Sequence, residues 1–478
     1  MKAKDKTDSR QFDTAELLKK ATRVATGATS IPKGLLIGSD VEIARHVETT
    51  LRTGTKGNVV YCEGDFYRYD EKCWTPIAEF ELRRIIHKYD GVKYGAKNAL
   101  IRLGRTRINS IINELATMMS VANWFADAQP GINCINGFIS FDGAGAPELL
   151  PHDQTQRQRH VLQAKWCGAV KGFEGSLLAR LLRGCFQGDE DAQAKIDILS
   201  EVAAAAALGY GTRLIAPKAI VFLGRSAENG KSQVIHLLRG LLPESAVSAI
   251  PPSKFGDERH VIRLVGKLLN TSDELGTTKA VSSDIFKYLV TGESVSARNV
   301  YEASVDFRAM AQHVFACNQL PGFQGGMDRG VMRRLMVLMF NRTIPSGERV
   351  DRLADRILAE ELDLVLSWVV DGAGRLLRRR EFSTVPSSKS ALQEWAQGAD
   401  VVQGWLAERV WYGSGLTMTT RKAYEEFKIW ALGEGYSPYS LPAVNTFSQR
   451  LKGAGLEYKH SGGFKGFLGV GAKEMLDD

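Results

Sequence analysis

The 478 residues leave room for about three domains of ordinary size. A hydrophobic content of 44% excludes a chain too polar to fold. No run of about eighteen apolar residues occurs, and the first residues, MKAKDKTDSRQFD, have no apolar stretch, so neither a membrane span nor a secretory signal is expected. The net charge of +8 and pI near 9.0 suit an anionic partner, although a basic surface alone does not prove one. Six cysteines, at 62, 73, 134, 167, 185 and 317, contain no CxxC pair, which argues against a zinc ribbon or a disulfide framework and for a reducing cytoplasm.

Residues 1–55 are polar, with one short helical pattern at 15–25, and read as a flexible arm. From Asn58 the pattern changes to three short aromatic-rich strands: NVVY, DFYRY after a turn at Glu63-Gly64, and a segment around Cys73-Trp74. Helical spacing follows in Leu82, Ile85, Ile86 and Tyr89, then in Ile108, Ile111, Ile112, Leu115 and Met119. A strand FISF at 138–141 closes an N-terminal α+β domain over 56–165. Residues 166–212 predict a lead-in of two helices, the second running through EVAAAAALGYG and stopping at glycine.

The next stretch, AIVFLGRSAENGKSQVIHLLRGLL, reads as strand, loop and helix. Ala219–Leu223 is uniformly apolar or small, and Val234, Leu237, Leu238 and Leu241 recur at helical spacing after Gly230-Lys231-Ser232. Unpaired N–H groups and the positive end of the helix dipole at such a junction suit a nucleoside triphosphate, with the Lys231 ammonium on the phosphates and the Ser232 hydroxyl on Mg²⁺. Asn229, Gly230, Lys231, Ser232 and Gln233 are therefore the expected nucleotide contacts. The spacing is irregular: the usual first glycine would stand at 225, where this chain has Arg225 after Gly224.

Downstream, KLLNTSDEL at 267–275 predicts a buried strand ending in Asp273 and Glu274, one carboxylate for Mg²⁺ and one to orient the attacking water. Asp-Glu pairs are also common on helix surfaces. The strand HVFACNQLP ends at Asn318, an amide suited to a position between the phosphate loop and the acidic pair; a turn Asn before Pro reads equally simply. MDRGVMRRLMVLMF at 327–340 places Arg333 and Arg334 at the start of a fourth strand, where one of them could reach a neighbouring subunit's nucleotide.

The ordered set GRSAENGKS, NTSDEL, KYLVTGESVSAR, FACNQLP and DRGVMRRL, within about 110 residues, resembles the superfamily 3 helicases of phages, plasmids and DNA viruses, in the branch of phage and plasmid primase-helicases that includes a poxvirus NTPase. The resemblance implies an α/β chain with a P-loop, AAA+-like core at 213–380, cofactors ATP and Mg²⁺, and a homo-oligomeric ring, usually a hexamer, moving on single-stranded or forked DNA in a bacterial cytoplasm. It assigns Asp273 to the metal, Glu274 and Asn318 to hydrolysis, and Arg333 or Arg334 to a finger acting in trans. It also places a DNA-gripping hairpin in 294–315, where Arg298, Asn299 and Tyr301 combine a cation, an amide and an aromatic face, with Lys287 on the preceding helix.

Beyond a helix at 353–370 and a basic linker, GRLLRRREFSTVPSS, the stretch 381–478 is expected to be a C-terminal winged-helix domain. Its helix with Phe447 and Leu451 and two basic strands would present Arg450, Lys452, Lys459, His460 and Lys465 to DNA; winged helices also serve protein contacts. The first 200 residues contain neither a paired D-x-D motif with a companion histidine nor a zinc site, so priming would fall to a separate primase or polymerase. Two other readings compete with a helicase: an ATP-controlled DNA-binding or origin-recognition protein without processive unwinding, and a small-molecule P-loop kinase, which leaves the basic hairpin and tail without a purpose.

Overall fold

The computed structural model describes residues 35–54, 58–224, 226–273, 281–299, 304–318, 321–323, 327–398, 401–434, 436, 438 and 441–472. Contacts divide the chain into two compact units, Met1–Ala122 and Asn123–Asp478. The expected helix at 15–25 lies outside the described residues.

In the first unit, helix α1 (Asp40–Gly54) precedes an antiparallel meander of β1 (Val59–Cys62), β2 (Asp65–Tyr69) and β3 (Trp74–Pro76), then α2 (Glu79–His87), a two-residue hairpin β4 (Lys93–Tyr94) and β5 (Ala99–Leu100), and α3 (Arg105–Met119). Glu63 and Gly64, both at positive φ, make the β1–β2 turn. The sequence reading placed α1 in a flexible arm. Instead Ile43, Ala44, Val47 and Leu51 form one buried stripe against Ile108, Ile111 and Leu115 of α3, a stripe masked in the sequence by the charged residues between.

The second unit opens with an antiparallel sheet of β6 (Gly131–Cys134), β7 (Gly137–Phe141) and β8 (Pro147–Leu150), followed by α4 (Leu177–Phe186) and α5 (Ala192–Ala207). Ile132, Cys134 and Ile139 share one apolar cluster with α4 and α5. The boundary between units therefore falls at 122 rather than near 165, because this sheet buries its face against the larger unit.

The centre is a five-stranded sheet in the order β10 (Val247–Ser248), β11 (Leu269–Ser272), β14 (Gln312–Cys317), β9 (Ala219–Leu223), β15 (Leu335–Met339), every pairing parallel. Side chains alternate across it. Ile220 and Phe222 face a layer containing α5, α6 (Lys231–Leu241), α10 (Leu353–Glu360) and α11 (Leu362–Arg379). Ala219, Val221 and Leu223 face the other layer, which holds the short helices α7 (Glu258–Val261) and α9 (Arg329–Met332), α8 (Ser283–Thr291), the hairpin β12 (Ser294–Ala297) and β13 (Val305–Arg308), and α12 (Pro386–Gly398). A parallel sheet covered on both faces accounts for its nearly continuous apolar strands.

Three expectations need correction here. The helix at 353–370 is two helices broken at Glu361, and α11 runs on to Arg379, into the first part of the basic linker. Helix α12 belongs to the sheet, not to the C-terminal part: Ala391 and Trp395 are buried in its second layer, and the Ser388 hydroxyl accepts from the Val337 N–H of edge strand β15 at 3.1 Å. The hairpin ends at Arg308, and 312–317 is already sheet.

Residues 401–472 form α13 (Val401–Arg409), β16 (Val410–Thr419), α14 (Thr420–Gly433), α15 (Val444–Gly453), β17 (Tyr458–Ser461) and β18 (Phe464–Ala472), with an antiparallel sheet in the order β16-β18-β17. Trp405, Phe427, Phe447, Leu451 and Phe467 are its core. The three helices and the two last strands match the sequence reading; strand β16 was not expected, since its glycines and exposed aromatics break the alternation.

Candidate functional site

Parallel strands send all their C-terminal ends to one edge, where ligands bind in open α/β sheets. The loop 224–230 leaves β9 there, Asp273 follows β11, and Asn318 follows β14, the strand between them. Gly230 caps α6 at φ 87°, and a Cβ there would stand 2.3 Å from the Cys185 sulfur of α4. Both the conformation and the contact demand glycine.

Lys231 is 7% exposed. Its ammonium donates to the Gly224 carbonyl at 2.8 Å and to Asn318 Oδ1 at 3.1 Å. Burial holds its pKa below the usual lysine value; burial also pushes the neighbouring Cys317 up to about 12, so it stays a neutral thiol. A buried ammonium with two neutral acceptors and no carboxylate in hydrogen-bond contact among the described residues is poised for an anion. Ser232 is exposed in the first turn of α6.

Other predicted contacts have structural duties. Asn229, 3% exposed, donates to the Ser226 carbonyl at 2.7 Å and shapes the loop. Gln233 Oε1 accepts from the Ala354 N–H of α10 at 2.9 Å. Asp273 is exposed, 3.8 Å from Arg239 of α6. Among the described residues no three His, Cys, Asp or Glu side chains converge on a metal position; Mg²⁺ at a phosphate loop needs only a hydroxyl, a carboxylate, waters and the nucleotide's own oxygens, and Ser232 and Asp273 fit that set chemically. Arg225 and Glu274 lie outside the described residues.

Arg333 and Arg334 sit at the N-terminal end of β15, paired with the start of β9. Five residues of strand, about 17 Å, separate them from the loop of their own chain. Arg333 is exposed. Arg334 is half-buried and donates to the Gly330 carbonyl at 2.9 Å; burial, with Arg333 beside it, lowers its pKa.

The hairpin pairs Ser294 with Arg308 through Ala297 with Val305. Arg298 and Asn299 are exposed at its tip, Arg298 3.3 Å from Glu258; Tyr301 lies outside the described residues. Lys287 donates to Asp328 at 2.7 Å and is 3.6 Å from Asp284, so it is less available than the sequence suggested. In the C-terminal part, Lys452 and Lys465 line a groove of about 710 Å³ with Arg421, Asn445, Ser448 and Gln449, and the Lys452 ammonium lies 3.7 Å from the Tyr458 ring centre. Lys459 and His460 are exposed on β17, whereas Arg450 does not line the groove. Asn445, Ser448 and Gln449 went unread in the sequence, although with Lys452 they recur at i, i+3, i+4 and i+7.

A second missed feature surrounds the loop. A cleft of about 340 Å³ beside Gly230 and Gln233 is lined by Leu181, Ile344, Val350 and Leu353. At its rim the Arg349 guanidinium grips the Glu228 carboxylate with two hydrogen bonds. Nothing in the spacing of the sequence joins residues so far apart.

Residues 222–334 match the model of a family of unknown function, DUF5906. Compared with curated proteins, the chain has no match. Among solved structures it is similar to the apo NrS-1 C-terminal region (305–718), at 13% identity and TM-score 0.45, over 89% of this chain and 98% of that one. An A-form apo structure of the same region gives 13% identity and TM-score 0.44, over 89% and 99%.

Proposed function

We propose that the chain is an ATP-dependent DNA helicase of the superfamily 3 type, assembling as a ring, usually hexameric in that family, that acts in replication of a phage, plasmid or related element. One observation carries the reading: Asn318, at the end of the central strand, meets the Lys231 ammonium of the phosphate loop. The sheet order that brings them together also sets Asp273 on the next strand, so a triphosphate between Lys231 and Asp273 lies beside an amide able to hold its terminal oxygens or the attacking water.

In this proposal Lys231 and Ser232 hold the phosphates and Mg²⁺, Asp273 takes the metal through water, and Glu274 orients the nucleophile. Arg333 is the better finger, because it is exposed and too far from its own loop to act in cis. Arg298 and Asn299 touch single-stranded DNA. Residues 401–472 act as a winged helix, a reading supported by the order helix, strand, two helices, two strands. Hydrolysis of ATP by the purified chain, measured with and without single-stranded DNA, tests the site: DNA-stimulated turnover that disappears in Lys231→Ala is expected, and an equally active Lys231→Ala would refute it. Hydrolysis without any strand displacement on forked DNA would favour the origin-recognition alternative.

A further inference from the structure

The phosphate loop carries its own negative charge. Glu228 stands two residues before Gly230, at φ 60°, a left-handed conformation that is strained for a residue with a Cβ. A carboxylate there would also repel phosphates bound next to it. Three contacts offset both penalties. The Arg349 guanidinium takes both Glu228 oxygens, one of them at 2.5 Å. The Glu228 carbonyl accepts from the Ile344 N–H at 3.0 Å. The Arg349 Nε donates to the Ile344 carbonyl at 2.8 Å, so the gripping side chain is itself oriented.

The segment that carries Arg349 is anchored in turn. Arg342 pairs with Glu348 at 2.7 Å and donates to the Gly184 carbonyl of α4 at 2.9 Å, and Arg180 of α4 donates to the Glu348 carbonyl at 3.2 Å. Cys185, under Gly230, follows Gly184 directly. Helix α4, the segment 344–349 and the loop thus form one closed circuit around the mouth of the cleft.

We propose that Arg349 is a positioning residue for the phosphate loop: it holds Glu228 in its left-handed conformation and neutralises its charge, which keeps the loop N–H groups and Lys231 aligned for a triphosphate. An exposed ion pair is normally worth little, but two-point geometry on an anchored guanidinium is the exception. The inference rests on the nucleotide-site reading above, and it makes an unusual demand: removing the clamped residue should cure the loss of the clamp.

The test is titration of a fluorescent ATP analogue, in low and high salt, against wild type, Arg349→Ala, Glu228→Gly, the double variant and Lys231→Ala, with a melting curve for each. Arg349→Ala should bind about tenfold more weakly at low salt and melt near the wild type. Glu228→Gly should bind at least as well as wild type, since glycine adopts φ 60° freely and brings no charge. The double variant should recover to within about twofold of wild type. Arg349→Ala binding like wild type, or a double variant as weak as Arg349→Ala, would overturn the proposal. If Arg349→Ala does not fold, the exchanged pair Glu228→Arg with Arg349→Glu decides: restored binding supports the clamp, and a folded variant that fails to bind contradicts it. Wild type that binds no nucleotide, or binds equally after Lys231→Ala, would instead remove the site on which the clamp depends.

Discussion

At the residue scale, the Lys231–Asn318 contact separates two roles. In the proposed site Lys231 holds the phosphates, so its loss should remove binding, whereas Asn318 serves the terminal phosphate or the water. Asn318→Ala is therefore expected to keep nucleotide affinity within a few-fold while lowering turnover by about 10²-fold, read from kcat and Kd measured separately. Gly230→Ala should fail for a steric reason, the added methyl meeting Cys185; Gly230→Ala with Cys185→Gly should recover more melting temperature than binding, because φ 87° still opposes alanine. The meeting of Lys231, Asp273 and Asn318 at one edge was legible because each lies just beyond a strand, Lys231 across the short loop after Ala219–Leu223, Asp273 after Leu269–Ser272 and Asn318 after Gln312–Cys317, and parallel strands bring such ends together. Glu228 and Arg349 were not, since a pairing across 120 residues leaves no periodic trace.

At the element scale, β14 links the site to the stability of the sheet. His313, 1% exposed on β14, has a pKa lowered to about 4 by burial, and the Asn270 amide of β11 lies 3.2 Å from its Nδ1. A histidine kept neutral in the fold gains a proton more readily when unfolded, so its contribution is complete above the ordinary value near 6.5 and is lost as pH falls from there towards 4. The slope is about 1.4 kcal/mol per pH unit. Melting temperature should therefore drop across that window, and His313→Gln should flatten the drop; an unchanged slope would show that other groups carry it. The hairpin makes a separate prediction: Arg298→Ala should weaken single-stranded DNA binding several-fold at low salt and reduce its salt dependence while leaving DNA-free hydrolysis intact. Lys287→Ala should do less, because Asp328 and Asp284 already occupy that ammonium. The strands of this hairpin were visible as alternation; α1 and β16 were not, because charged residues hid the buried stripe of α1, and β16 is mostly exposed, with glycines and surface aromatics in place of an alternating pattern.

At the scale of the whole molecule, the two ends of the central sheet's strands carry different residues. Lys231, Asp273 and Asn318 share one edge, and Arg333 and Arg334 stand on the other. A finger on the far edge can serve only a neighbour's nucleotide, so Arg333→Ala should bind ATP and assemble but not hydrolyse, and mixing it with Lys231→Ala should restore part of the activity. No recovery at any ratio would contradict shared sites. The grouping of elements was the least legible feature of the sequence: β6–β8 and α12 read locally as parts of their sequence neighbours, and only burial against the large core assigns them. The central claim is that ATP turnover at this edge drives separation of DNA strands. Strand displacement on a forked duplex tests it most directly: the account predicts ATP-dependent unwinding by the wild type and none by Lys231→Ala, and a wild type that hydrolyses ATP without displacing any strand would contradict it.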